Sequence, residues 1–324
     1  MAEEAIVTYS KDSTTGTKLA MKRIRVSGRV DDEFYLTMKR RISREAIIWH
    51  SFCHRNVLEF LGMAKLTDET YLVSPWMELG DLYSFVTSRL EFFQWDQGKQ
   101  DGTDQIAALC RRFKEQDAIT GIASGLAYLH ANNVIHGDMK ASNVLLDGEL
   151  NPKICDFGLT KVMHTEYALT SAGLKGFGTI RWMSPELLTE ESSAVKTTAS
   201  DVYAFGMTIF EILSAQSPFS NLHSLVYIAL VIAAGERPRP EPLSRESQQF
   251  QDLWSLGVSC WAPDQRSRPT ADDVVATLTS DDWSERLGVG HITPYVAAVG
   301  ASNSPGSAAP SHVDYALDFG GASL

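Results

Sequence analysis

The chain has 324 residues, 44% of them hydrophobic and 21% charged, an ordinary balance for a globular protein with a substantial core. With 29 basic against 40 acidic residues the net charge is −11, which argues against a molecule drawn as a whole to nucleic acid or anionic lipid. No apolar run approaches the roughly 18 residues of a membrane span, and the start MAEEAIVTYS is acidic rather than signal-like. Cys53, Cys110, Cys155 and Cys260 form no C-x-x-C pair, so neither a zinc site nor a disulfide framework is indicated. These features predict a soluble intracellular protein, cytoplasmic by preference, with reduced thiols and no nucleic-acid partner.

In chain order, Leu19-Ala-Met-Lys-Arg-Ile24 reads as a strand after a turn rich in Thr and Gly at Ser13 to Thr17. The pattern becomes helical from about Phe34 to Ser51, where Ile42, Ile47 and Trp49 stand among basic residues. Strands are expected around Leu58 to Met63 and Tyr71 to Ser74. Residues 91–107 (EFFQWDQGKQDGTDQIA) are polar and contain glycine, as in a surface insertion. A helix follows with Phe113, Ile119, Ile122, Leu126 and Leu129 on one face. Beyond residue 200, helical segments alternate with turns such as Arg237-Pro-Arg-Pro240, and Ala301 to Ser311 marks a disordered tail. A strand-rich front and a helix-rich back give an α+β order.

The text that carries chemistry is Val134-Ile-His-Gly-Asp-Met-Lys-Ala-Ser-Asn143, then Val144-Leu-Leu146 and Lys153-Ile-Cys-Asp-Phe-Gly158. It resembles the eukaryotic protein-kinase superfamily, whose catalytic loop reads H-x-D-x-K-x-x-N and whose magnesium motif reads D-F-G. Phosphoryl transfer needs positioning and charge neutralisation, hence hard oxygen ligands for Mg²⁺ and a carboxylate at the nucleophile. The resemblance implies a bilobal protein-kinase fold that uses ATP and Mg²⁺. It makes Asp138 the acceptor of the substrate hydroxyl proton, Lys140 the partner of the γ-phosphate, and Asn143 and Asp156 the magnesium ligands. Leu19-Ala-Met-Lys22 looks like the V-A-I-K strand, with Lys22 on the α- and β-phosphates and Glu45 of the following helix as its partner. Trp49, one turn beyond Glu45, is expected to pack inward toward Phe157 and His136.

Tyr71-Leu-Val-Ser-Pro-Trp-Met77 resembles the strand and hinge between the lobes. That match makes Ser74 the gatekeeper, brings the backbone of Pro75 and Met77 to the adenine, and sandwiches the ring between Ala20 and Leu145. The ending Gly178-Thr-Ile-Arg-Trp-Met-Ser-Pro-Glu186 is similar to that of tyrosine-kinase-like serine/threonine kinases of fungal style, with Ser184 where alanine is usual. It implies an ion pair between Glu186 and Arg268, and a structural duty for Asp201 of Asp201-Val-Tyr-Ala-Phe-Gly206 in capping the catalytic-loop backbone. Lys140, two residues after Asp138, and Thr179 are the serine/threonine form, so the expected partner is a protein substrate carrying those hydroxyls.

Two departures stand out. Val7 lies where the family's glycine-loop valine would stand, and no G-x-G-x-x-G precedes it, so the N-lobe reads as lacking its first strand and glycine-rich loop. Gly137 replaces the arginine that usually receives an activation-segment phosphate, here one on Thr165, Thr170 or Ser171. The expected domains are an N-lobe over 1–75, a C-lobe over 76–285 with its insertion near 91–107, and a disordered tail over 286–324. Two readings stay open: a working phosphotransferase, or a pseudokinase that binds as a scaffold with little or no turnover.

Overall fold

A computed structural model of the chain describes residues 6–11, 18–23, 46, 49–66, 69–95, 105–156, 179–188, 195–239 and 247–280. All of them belong to one compact unit, residues 1–289, and the unit of residues 290–324 lies outside the described residues. The front of the chain forms a four-stranded antiparallel sheet in the order β1-β2-β4-β3. Its strands are β1 (Ile6–Lys11), β2 (Lys18–Arg23), β3 (Gly62–Leu66) and β4 (Glu69–Pro75). The register sets Val7 opposite Lys22 on one side of β2, and Leu72 opposite Lys22 on the other. Ala20 pairs with Ser74. The expected break ahead of β1 falls on residues 1–5, outside the described residues.

Two sequence expectations shift. The strand placed around Leu58 to Met63 begins only at Gly62, whose φ of +141° turns the chain into the sheet. The residues before it are claimed by a different partner. Val57 bridges Ile154 in parallel, the Leu58 N–H donates to the Ile154 carbonyl (2.8 Å), and the Ile154 N–H donates to the Asn56 carbonyl (2.9 Å). The polar insertion also narrows. Helix α1 (Leu82–Trp95) runs into it and α2 (Gln105–Arg112) starts inside it, leaving 96–104 outside the described residues. Apolar packing of Phe85 on Phe113 (5.2 Å between ring centres) and a bond from Arg89 Nε to the Cys110 carbonyl (2.8 Å) hold this pair of helices together.

The back of the chain is helical. Helix α3 (Glu115–Ala131) buries Ile119, Ile122, Leu126 and Leu129 completely, the periodic stripe seen in the sequence, and packs on α7 (Ala271–Thr279). Helix α4 (Thr198–Ser214) is largely apolar and buried from Ser200 to Ser214. A capping box between Thr197 and Ser200 starts it. Helix α6 (Gln248–Cys260) meets α4 at Gly206, where an added Cβ would stand 3.0 Å from the Gly257 carbonyl, so the two backbones approach as closely as glycine allows. Helix α5 (Leu225–Ala233) completes this half. Among the described residues no helix is long and apolar enough to cross a membrane.

Candidate active site

The short hairpin β5 (Val144–Leu146) and β6 (Pro152–Ile154) separates the two motifs that carry chemistry, with Val144 paired to Ile154. Residues 134–140 reach it from α3 through a 3₁₀ turn at Ala141–Asn143. Such a loop has no ladder of its own, so its backbone donors need partners elsewhere. Two acidic side chains of α4 supply them. Asp201, 1% exposed, accepts from the N–H groups of His136 and Gly137 (both 2.8 Å) and lies 3.0 Å from His130 Nε2. Glu211 accepts from the Ala141 N–H (2.8 Å) and the Trp182 indole N–H (2.9 Å). Burial drives the Glu211 carboxyl up to about 8, against those donors.

His136 is fully buried and ties the two motifs together. Its Nδ1 accepts from the Asp138 N–H (3.1 Å), which leaves Nε2–H to donate to the Cys155 carbonyl (3.0 Å). The Cys155 N–H in turn donates to the Asn143 carbonyl (2.9 Å). Asp138 and Asp156 are thereby held by one continuous set of bonds. Around Asp138, Lys140 Nζ donates to Oδ2 (2.8 Å), and Asn143 Nδ2 donates to both Oδ2 (2.9 Å) and the backbone carbonyl (2.7 Å). Burial works to raise the Asp138 carboxyl, but Lys140, Thr179 and Asn143 together outweigh it and hold the group below the usual carboxylate range. Asp138 is a carboxylate at neutral pH.

Asp156 has a left-handed backbone (φ +59°), and its Oδ1 accepts from Lys22 Nζ at 2.5 Å. That pair joins the sheet to the helical half. Asn143 spends its amide N–H groups on Asp138, which turns its Oδ1 away, and Asp156 has Oδ2 in hand. One carboxylate oxygen and one amide oxygen of this kind suit a hard divalent cation. Just past β4, the Trp76 N–H donates to the Lys18 carbonyl (3.2 Å). Ser74 is buried, its hydroxyl 3.4 Å from the Pro75 carbonyl. Ala20 and Leu145 are half-buried, on β2 and β5, and Leu145 bridges Asp81. Val7 is placed by its backbone alone.

Further out, Arg268 Nη1 and Nη2 reach Glu186 Oε1 (2.7 Å) and Oε2 (2.8 Å) as a fork. Trp49 stacks on Phe60 (4.7 Å between ring centres) and its indole N–H donates to the Leu58 carbonyl (2.7 Å), while its expected neighbour Phe157 lies outside the described residues. The same segment that left the sheet for Ile154 provides both contacts. Glu45 and Phe157 lie outside the described residues, as do Thr165, Thr170 and Ser171. Two residues of the site were not singled out in the sequence. Glu211 could have been, as the only carboxylate in the apolar run Val202–Leu213. Lys196, whose Nζ donates to the Gly137 carbonyl (2.5 Å), carried no local signal at all.

Residues 4–278 match the family model described as protein tyrosine and serine/threonine kinase. Cysteine-rich receptor-like protein kinase 10 of Arabidopsis thaliana is 31% identical over 84% of this chain and 39% of its own length. The putative serine/threonine-protein kinase/receptor R831 of Acanthamoeba polyphaga mimivirus is 30% identical over 82% of the chain and 15% of its own length. Serine/threonine-protein kinase STY17 of Arabidopsis thaliana is 28% identical over 74% of the chain and 37% of its own length. The chain thus spans less than half the length of each of these relatives.

Proposed function

Because the chain belongs to the protein tyrosine and serine/threonine kinase family, we propose that it transfers the γ-phosphoryl group of Mg·ATP to serine and threonine hydroxyls of protein substrates. The observation that carries the reading is the convergence of Lys140 (2.8 Å) and Asn143 (2.9 Å) on the ionised Asp138, with Asp156 bonded to Lys22 (2.5 Å) across the lobes. The names of the relatives and the placement of Lys140 and Thr179 support the serine/threonine class. The ending Gly178 to Glu186 supports a tyrosine-kinase-like kinase of fungal style. The lobes divide after Pro75, where β4 ends, with the helical lobe reaching to about residue 285.

In this reading Asp138 accepts the substrate hydroxyl and aims its oxygen at the γ-phosphorus. A carboxylate held below its usual range is a weak base, so it takes the proton late, as the new O–P bond forms and the bond to the β-phosphate oxygen breaks. Lys140, already on Asp138, offsets the charge of the moving phosphoryl group. Lys22 leaves Asp156 for the α- and β-phosphates, with Glu45 as its other partner. Asn143 and Asp156 would hold Mg²⁺, which when bound neutralises phosphate charge. The peptide groups of Pro75 and Met77 face the adenine, the ring lies between Ala20 and Leu145 beside Val7, and Ser74 stands behind it. His136, Phe157, Asp201, Glu186 and Arg268 support the frame. A cytoplasmic setting, where Mg·ATP is abundant, accords with Cys53, Cys110, Cys155 and Cys260 standing as thiols. Four convergent catalytic groups give a scaffold reading no observation of its own.

The test is radiolabelled phosphoryl transfer to a generic protein substrate, beside Asp138→Asn, with acid hydrolysis to identify the acceptor. Phosphoserine and phosphothreonine are expected from the parent, with turnover lowered roughly 10²- to 10⁴-fold in the variant. Equal turnover by both proteins sinks the assignment of Asp138, and phosphotyrosine alone sinks the substrate class.

A further inference from the structure

Gly137 stands immediately before Asp138 with φ +76°, a backbone conformation that side chains disfavour. Its side-chain space is taken. A Cβ there would stand 2.9 Å from Lys196 Cδ, so the lysine stem lies against the bare glycine. The ammonium of Lys196 donates to the Gly137 carbonyl at 2.5 Å. The other end of the same peptide group, the Asp138 N–H, donates to His136 Nδ1 (3.1 Å), and the Gly137 N–H is held by Asp201 (2.8 Å). Lys196 itself is anchored, because the next residue, Thr197, is the N-cap of α4 and closes its capping box.

A glycine peptide can rotate at little steric cost unless something grips it. Here Lys196 grips the carbonyl side of the peptide that leads into Asp138, and among the described residues the other hold on that peptide is His136. We propose that Lys196 is a positioning residue for phosphotransfer, clamping the Gly137–Asp138 peptide from the start of α4 and so fixing the direction of the Asp138 carboxylate. This rests on the kinase reading above. The charged groups facing the ammonium are Asp138 and Asp201, which favour its charge, and Lys140, which opposes it. Burial is the largest influence and lowers the Lys196 ammonium below the usual lysine value. Loss of the proton would leave a neutral amine on the carbonyl and weaken the clamp. The clamp is built into the chain and needs no phosphate on the activation segment.

The test compares Lys196→Met and Lys196→Arg with the parent in two ways. The first is hydrogen–deuterium exchange of the peptide spanning residues 134–140 in the free protein. The second is kcat and KM for ATP across pH 7 to 10. The clamp predicts faster exchange in Lys196→Met, parental exchange in Lys196→Arg, and melting temperatures close to the parent's. It predicts a kcat lower by about 10- to 100-fold in Lys196→Met with KM for ATP within twofold, the size expected when a reacting group is misplaced by about an ångström. The parent should lose kcat as pH rises, Lys196→Met should lose that limb, and Lys196→Arg should keep activity to higher pH. Unchanged exchange in Lys196→Met overturns the clamp whatever the activities are. Faster exchange with parental kcat, or a lower kcat with the alkaline limb intact, overturns the positioning role. A parent with no transfer at any pH overturns the kinase reading, and with it the role assigned to Lys196.

Discussion

Arg268→Met should cost this domain about 3 kcal/mol of stability at neutral pH, and the structure says where that number comes from. The guanidinium is completely buried, while the Glu186 carboxylate is 28% exposed. Arg268 spends two donors on Glu186 (2.7 and 2.8 Å), and others on the carbonyls of Ala262 (2.9 Å) and Ala199 (3.0 Å), and lies 5.0 Å from the centre of the Tyr203 ring. Removing one partner of a buried pair costs roughly 3–5 kcal/mol. Methionine fills most of the volume, so little cavity term is added, and partial exposure of Glu186 favours the low end. At roughly 2–4 °C per kcal/mol for a large domain, the melting temperature should fall by about 6–12 °C. The pH dependence gives a second handle. Burial raises the Glu186 carboxyl, Arg268 outweighs that, and the result lies below the ordinary 4.5. A depressed carboxyl stabilises the fold above its unfolded value and ceases to do so as pH falls through its folded value. The penalty of Arg268→Met should therefore shrink in acid. Urea unfolding of both proteins at pH 7 and near pH 4 measures it, with Arg268→Lys expected to fall in between because it keeps the charge and loses the fork. A penalty under about 1 kcal/mol at pH 7, or one that does not change with pH, refutes this account.

Other expectations are shorter to state. Glu211 is held protonated up to about 8 against an ordinary 4.5, so the native state binds one more proton than the unfolded chain between those values. Stability should fall as pH rises through that window, by at most about 1.4 kcal/mol per pH unit, and Glu211→Gln should flatten the slope in denaturation curves while keeping both bonds from Ala141 and Trp182. Ser184 is fully buried, and among the described residues its hydroxyl has no partner of hydrogen-bond geometry, although it lies near enough to favour the Glu186 charge. Ser184→Ala should stabilise by about 1 kcal/mol; a loss of stability on thermal unfolding would mean that the hydroxyl is used. If the proposed hinge register holds, the small Ser74 side chain leaves room behind the adenine, so Ser74→Met should weaken bulky ATP-competitive compounds by roughly 10- to 100-fold in competition assays. Equal affinities would move the hinge to another register.

The residues proposed as catalytic were legible in the chain itself because their spacing is local. Asp138, Lys140 and Asn143 sit on one loop, and Asp156 lies one short hairpin further on. Chemistry that needs a carboxylate, an ammonium and an amide within a few ångströms leaves a compact trace in sequence. Periodicity likewise marked α3, whose apolar stripe is continuous. The boundary that moved is one settled by a distant partner: residues 57–58 alternate like a strand but bond to Ile154. What holds the loop in shape was decided only by tertiary structure. Asp201, Glu211 and Lys196 come from the region around α4, some 60 to 70 residues after the groups they hold, as the separations of 59 for Lys196–Gly137 and 70 for Glu211–Ala141 record. A loop without a ladder must borrow its hydrogen bonds from whichever element folds beneath it. No local pattern in the chain says which element that will be.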